Sequence, residues 1–146
     1  EDSMKDLKNN IGVVQSIAPI SASSDQTGTG VDLQGFESAT LVIDAGIEGI
    51  TLSSTNKIEI ELEHSDDNST FTDVTSSADV IGATPDSSGV IATFDDPAEA
   101  PAIASVGYIG GKRYIRAVAN FSGTHGTATP LAVSVIKGHA RSNPVS

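Results

Sequence analysis

The stretch KIEIELEHS, residues 57–65, alternates strictly: Ile58, Ile60 and Leu62 at even positions, Glu59, Glu61 and Glu63 at odd ones. A period of two places the aliphatic residues on one face of an extended chain and the carboxylates on the other. It therefore reads as a half-buried strand with an acidic solvent face. SATLVIDAG (38–46), KRYIRAVANF (112–121) and PLAVSVIKG (130–138) read as strands too, being rich in β-branched residues. Shorter candidates are GVDLQGF (30–36), FTDV (71–74), GVIATF (89–94) and ASVGYIG (104–110). Turn formers punctuate them: SSDQTGTG, SDDNST, TPDSSG, DDPAEAP and SGTHGT. Strands this short and this regularly interrupted predict an all-β fold, a single antiparallel, jelly-roll-like β-sandwich. IGGKR is expected to be a tight hairpin turn, with Gly110 and Gly111 at positive φ.

The first twenty residues give conflicting signals. Met4, Leu7, Ile11 and Val14 are spaced like one face of a helix, but Gly12, two Asn and the run IGVV oppose a helix. Pro19 is expected to end whatever forms there. The reading is an extended N-terminal arm over 1–20 and a sandwich domain over 21–146. Met4, the only methionine, is taken as the native start, with Glu1 to Ser3 an addition. EDSMKDLKNN lacks the apolar run of a signal peptide, which points to synthesis in a cytoplasm.

Composition narrows the function. A chain of 146 residues is one domain with enough interior for a core. With no cysteine, disulfides and thiolate metal sites are excluded. A net charge of −11 argues against nucleic-acid binding, which needs cations for phosphates. No apolar run approaches the ~20 residues of a membrane helix. Four Phe, two Tyr and no Trp make a poor platform for stacking sugars or bases.

No chemistry-bearing constellation emerges. The cluster EHSDDNSTFTD brings together Glu63, His64, Asp66, Asp67, Asn68 and Asp73, but its spacing is not that of a calcium loop. It reads as a turn whose Asp, Asn and Ser side chains bond their own backbone. His64, His125 and His139 stand singly, without metal-ligand spacing. His125, in SGTHGT, is expected to be solvent-exposed. No nucleophile elbow, cofactor loop or metal motif is present, so the expectation is a non-enzyme with no catalytic, cofactor or metal residues.

One charge feature stands out. Between Ile58 and Gly111 there are eleven Asp or Glu and no Lys or Arg; Lys112, Arg113 and Arg116 then follow together. They either balance acids on neighbouring strands or form a docking patch. With Lys137 and Arg141, five of the eight cations lie after residue 111, a dipolar distribution suited to contact between copies or with an acidic partner. Lys112, Tyr114 and Arg116 share strand parity, and would form a basic face with one aromatic anchor.

Several segments carry a resemblance: LKNNIGVVQSIAP, VDLQGFESATLVIDAG, LEHSDDNSTFTDV, VGYIGGKRYIRAVANFSG and AVSVIKGHARSNP. Together, over about residues 7 to 144, they resemble a family of small structural proteins of tailed bacteriophages and prophages, encoded among the head genes. The most specific piece is YIGGKRYIR, Tyr108 to Arg116. The resemblance implies a virion protein made in the bacterial host cytoplasm: a decoration protein on the capsid exterior. Its implied partners are the major capsid protein and other copies of itself, a trimer being favoured. The alternatives are a carbohydrate- or surface-binding module and a head-completion or tail protein. The segment ADVIGATPDSSGVIATFDDPAEAPAIAS departs from the family by its length, leaving the strands of 75–105 open.

Overall fold

The structure is a computed structural model that describes residues 5–145. Met4 and the three residues before it, read above as the native start and an addition, lie outside the described residues. Eleven strands follow one another: β1 (Gly12–Ala22), β2 (Gln26–Thr27), β3 (Val31–Asp32), β4 (Phe36–Ala45), β5 (Lys57–Ser65), β6 (Thr72–Asp73), β7 (Val80–Ile81), β8 (Val90–Phe94), β9 (Ala102–Tyr108), β10 (Tyr114–Ser122) and β11 (Thr129–Ala140). Single 3-10 turns at Lys8–Asn10 and Ser77–Asp79 complete the regular structure named here. No helix among the described residues is long and apolar enough to cross a membrane.

All strand pairs are antiparallel, in two sheets. The first sheet has the order β1-β11-β4-β9-β7, the second β2-β10-β5-β6, with β3 also on β10 and β8 also on β5. In the second sheet each edge is therefore a strand broken in two: β2 and β3 flank β10, β6 and β8 flank β5. Treating each broken edge as one strand and setting β7 aside leaves eight strand positions. Their order is 1-8-3-6 in one sheet and 2-7-4-5 in the other, the connectivity of a jelly roll.

Strand parity builds the core. Ile58, Ile60 and Leu62 of β5 point inward with Ile115, Ala117 and Ala119 of β10, and meet Leu41 and Ile43 of β4 and Val133 and Val135 of β11. All of these are buried. The middle segment left open by the sequence supplies β7, β8 and the start of β9, and buries Val80, Ile91 and Phe94 in the same core.

Three local expectations are corrected. First, residues 12–22 form β1, paired along β11, so the division expected at residue 20 runs through a paired strand. Pro19 does not end it. β1 is an edge strand, and the register shifts between Gln15 and Ile17 and between Ile17 and Ile20; Pro is accommodated at such edges and bulges. Buried Ser16 of β1 then ties the two sheets together. Its Oγ donates to Thr29 O at 3.0 Å and accepts from Ala117 N at 2.9 Å.

Second, IGGKR is not a hairpin: β9 and β10 lie in different sheets, so the segment crosses between them. The glycines with positive φ are Gly35, Gly82, Gly89 and Gly123; Gly110 and Gly111 are not among them. Gly110 is required for another reason. A Cβ there would lie 2.5 Å from Tyr108 Oη and 2.7 Å from Cζ, whereas at Gly111 it would meet nothing within 4 Å. Third, His125 is buried, only 8% exposed, with Nε2 2.9 Å from Ser122 O and its ring edge-on to Phe121.

The two glycines separate the crossover from the hairpin. Gly110→Ala should lower stability by about 1–3 kcal/mol, through overpacking against the tyrosine, and Gly111→Ala by less than about 0.5 kcal/mol. Thermal melting of both variants measures this; equal losses would contradict the close approach of Tyr108.

Candidate functional site

The corner between β9 and β10 is anchored from inside. Tyr108, the last residue of β9, is buried between the sheets. Its hydroxyl accepts from Lys112 N at 3.1 Å and shares a hydrogen bond with His64 Nδ1 at 2.9 Å. His64 faces inward from β5 and meets the tyrosine ring edge-on at 5.8 Å. Burial, and then the charge of Lys112, hold its imidazole below the usual range, so it stays neutral near pH 7. One tyrosine thus fixes the crossover to both sheets.

Lys112 and the three arginines of the corner all have carboxylate partners. Lys112 Nζ lies 2.8 Å from Asp66. Arg113 grips Asp32 through Nε and Nη2, both at 2.9 Å, and its guanidinium lies 5.0 Å from the Tyr114 ring centroid. Arg116 Nε donates to Glu63 at 2.6 Å, across the β10–β5 ladder where the two are directly paired. The Arg116 guanidinium also stacks over Phe71 at 4.0 Å. Arg141 pairs with Glu37, and Lys137 donates to Asp32 O while lying over Phe36. Of the three residues singled out in sequence, Tyr114 and Arg116 share the outward face of β10, opposite buried Ile115 and Ala117. Lys112 sits in the crossover just before that strand. Beside them opens a cleft of about 390 Å³ lined by Leu33, Phe36, Tyr108, Gly110, Lys112 and Arg113, among others.

The acidic turn behaves as its composition predicts. Asp67 Oδ1 accepts from Ser65 Oγ and from the backbone N–H of Ser69 and Thr70. Ser65 Oγ accepts from the N–H of Asp67 and Asn68. Asp67 is therefore committed to the turn, and Asp66 to Lys112.

What the sequence did not reveal is a carboxylate cluster on the outer face of the second sheet. Oxygens of Glu61, Glu63 and Asp73 all lie within 4.8 Å of one another. Glu61 and Glu63 were visible as one face of β5, but Asp73 reaches them only because β6 pairs beside Glu63. Desolvation pushes the Glu61 carboxyl up to about 7, with Asp73, Glu63, Glu59 and Asp86 adding repulsion. Asp73 is raised too, by burial and then by Glu63. Carboxylates so placed can share a proton or hold a divalent cation; Arg116 already neutralises one of them. The opposite case is Asp32, which Arg113 holds down at about 2. No protein-family model matches this chain, and no curated protein matches it.

The cluster sets a pH dependence. The folded chain keeps the Glu61 proton up to about 7, while an unfolded chain loses it near 4.5. Stability should therefore fall as pH rises through that window. Below it Asp32, Asp67 and Asp86, all held low by hydrogen bonds, act the other way, and so does His64 within it, since an unfolded chain protonates that imidazole more readily. Measured against Glu61→Gln, which lacks the titrating group, the parent's melting temperature should rise by a few degrees from pH 8 to pH 5; a constant difference between the two would contradict the cluster.

Arg116→Ser should cost about 1–2 kcal/mol, between the exposed and buried limits for ion pairs. Its loss should be larger at pH 8, where neighbouring Glu61 is ionised as well, than at pH 5. Melting of this variant at the two pH values tests the assignment.

Proposed function

We propose that this chain is a non-enzymatic structural protein of a virion, decorating the exterior of a phage capsid as an oligomer and contacting the major capsid protein through Lys112, Tyr114 and Arg116. The observation that carries the reading is the corner itself. The segment most specific to the phage resemblance, Tyr108 to Arg116, is a crossover pinned by a buried tyrosine and carrying cations, half-buried or exposed, at its rim. Such a pre-organised corner suits docking, because little ordering entropy remains to be lost on binding. The jelly roll supports the reading without deciding it, since capsid and lectin domains both use this architecture. Each histidine makes a structural contact: His64 with Tyr108, His125 with Ser122, His139 with Ser38.

The test is addition of purified protein to capsids of a phage encoding it, prepared without it, followed by sedimentation and imaging. Saturable binding to the outer surface is expected. Lys112→Ser combined with Tyr114→Ala should weaken it about tenfold or more, with the larger effect at low salt, while the fold is unchanged by circular dichroism. Absence of binding to such capsids, with retention on immobilised glycans, would replace this reading with that of a surface-binding module.

A further inference from the structure

The two outer faces of the sandwich differ in charge. On the second sheet, Lys57, Glu59, Glu61 and Glu63 of β5, Arg116 of β10 and Asp73 of β6 stand outward. The outer face of the first sheet is built by the register of β1, β11, β4, β9 and β7. One row across it is Val13, Ile136, Thr40, Gly107 and Ile81; the next is Gln15, Ser134, Val42 and Ser105; a third is Ala132, Asp44 and Ile103. Among the described residues of these rows Asp44 is the one charge, and it lies at the end of β4. Large apolar side chains stand free on the same face: Val13 is 63% exposed, Ile81 60% and Ile103 70%.

We infer that the outer face of the first sheet is a self-association surface, on which a second copy of this chain packs face to face about a twofold axis. Charge argues for this occupant. Two copies at −11 each repel across any surface bearing carboxylates, and this face nearly lacks them. A cationic partner would gain more from the acidic second sheet. A second copy offers an equally uncharged, small-residue surface, as an isologous contact requires. A twofold axis across the strands near Val42 carries the two Asp44 carboxylates to opposite sides of it, about 13 Å apart along the strands.

The area is sufficient. β4 and β11 run 10 and 12 residues, about 33–40 Å at ~3.3 Å per residue, and four strands span about 19 Å. The footprint, about 600–700 Å² before side-chain relief, approaches the ~800 Å² per partner of a standard interface. Edge pairing is the weaker route: β1 carries two register shifts and Pro19, and β7 is two residues long. The inference concerns the free protein and stands apart from capsid docking. It replaces the expected trimer with a pair.

Sedimentation velocity of the full chain over a dilution series, at low and high salt, tests it. A dimer is expected that tightens with salt, because screening relieves repulsion between the copies; docking through the basic corner has the opposite dependence. Val42→Lys, at the centre of the face, should raise the dimer dissociation constant about 100-fold, since a symmetric interface takes the change twice. Should that variant unfold, Ser105→Lys, at an already exposed position on the same face, should have the same effect. Val118→Lys, on the outward face of β10 in the second sheet, should leave the dimer intact. A monomer at all concentrations, a trimer, or a dimer that Ser105→Lys leaves unchanged would overturn the inference, whatever the result of the capsid experiment.

Discussion

The fold rests on one constraint: alternation along the strands has to send apolar side chains into a single gap between two sheets. β5 and β10 do this from one side, β4 and β11 from the other, and the inward residues at the middle of each strand are buried. With the interior so uniform, the differences between the two sheets appear on their outer faces. Carboxylates collect on the outer face of the second sheet, where burial and then repulsion from neighbouring acids raise the proton affinity of Glu61 and Asp73. The first sheet is left almost without charge. The chemical asymmetry of the molecule follows from which residues occupy the outward positions of the strands.

Polar ties close the ends of the gap. Ser16 links β1 to β10, and Tyr108 links β9, β5 and the crossover. Each places a hydrogen-bonded hydroxyl where a backbone or imidazole nitrogen would otherwise be buried without a partner, an omission that costs about 1–3 kcal/mol. The cations at the rim are held as well, so the basic corner has a set geometry instead of being a cluster of loose side chains.

Much of this architecture is legible in the chain. KIEIELEHS announces β5 because its period is strict, and the β-branched runs locate β4, β10 and β11 within a few residues. The two-residue strands β2 and β7 carry too little pattern to be seen. β1 was obscured because Gly12, two Asn and helix-like spacing gave mixed local signals, whereas its structure is decided by the distant β11. Gly110 misleads for a related reason. Two glycines between strands look like a hairpin, and only the fold shows that the ring of Tyr108 fills the space a side chain would need. His125 looked exposed in its loop because burial under Phe121 is a tertiary fact. The partners of the corner cations are not legible, since Asp32 comes from one distant part of the chain and Glu63 and Asp66 from another.

The position of β11 has a consequence for how the molecule comes into being. The last strand in the sequence lies between β1 and β4, and residues 12–22 find their ladder only in residues 129–140. Successive strands mostly alternate between sheets, so the ladders join residues far apart along the chain. Such topologies fold slowly, because large loops must close before any pairing is rewarded. During synthesis the first sheet stays split until its final strand has left the ribosome. β1 and the β4-β9-β7 group then have no ladder between them, and residues 129–140 supply both sides of it.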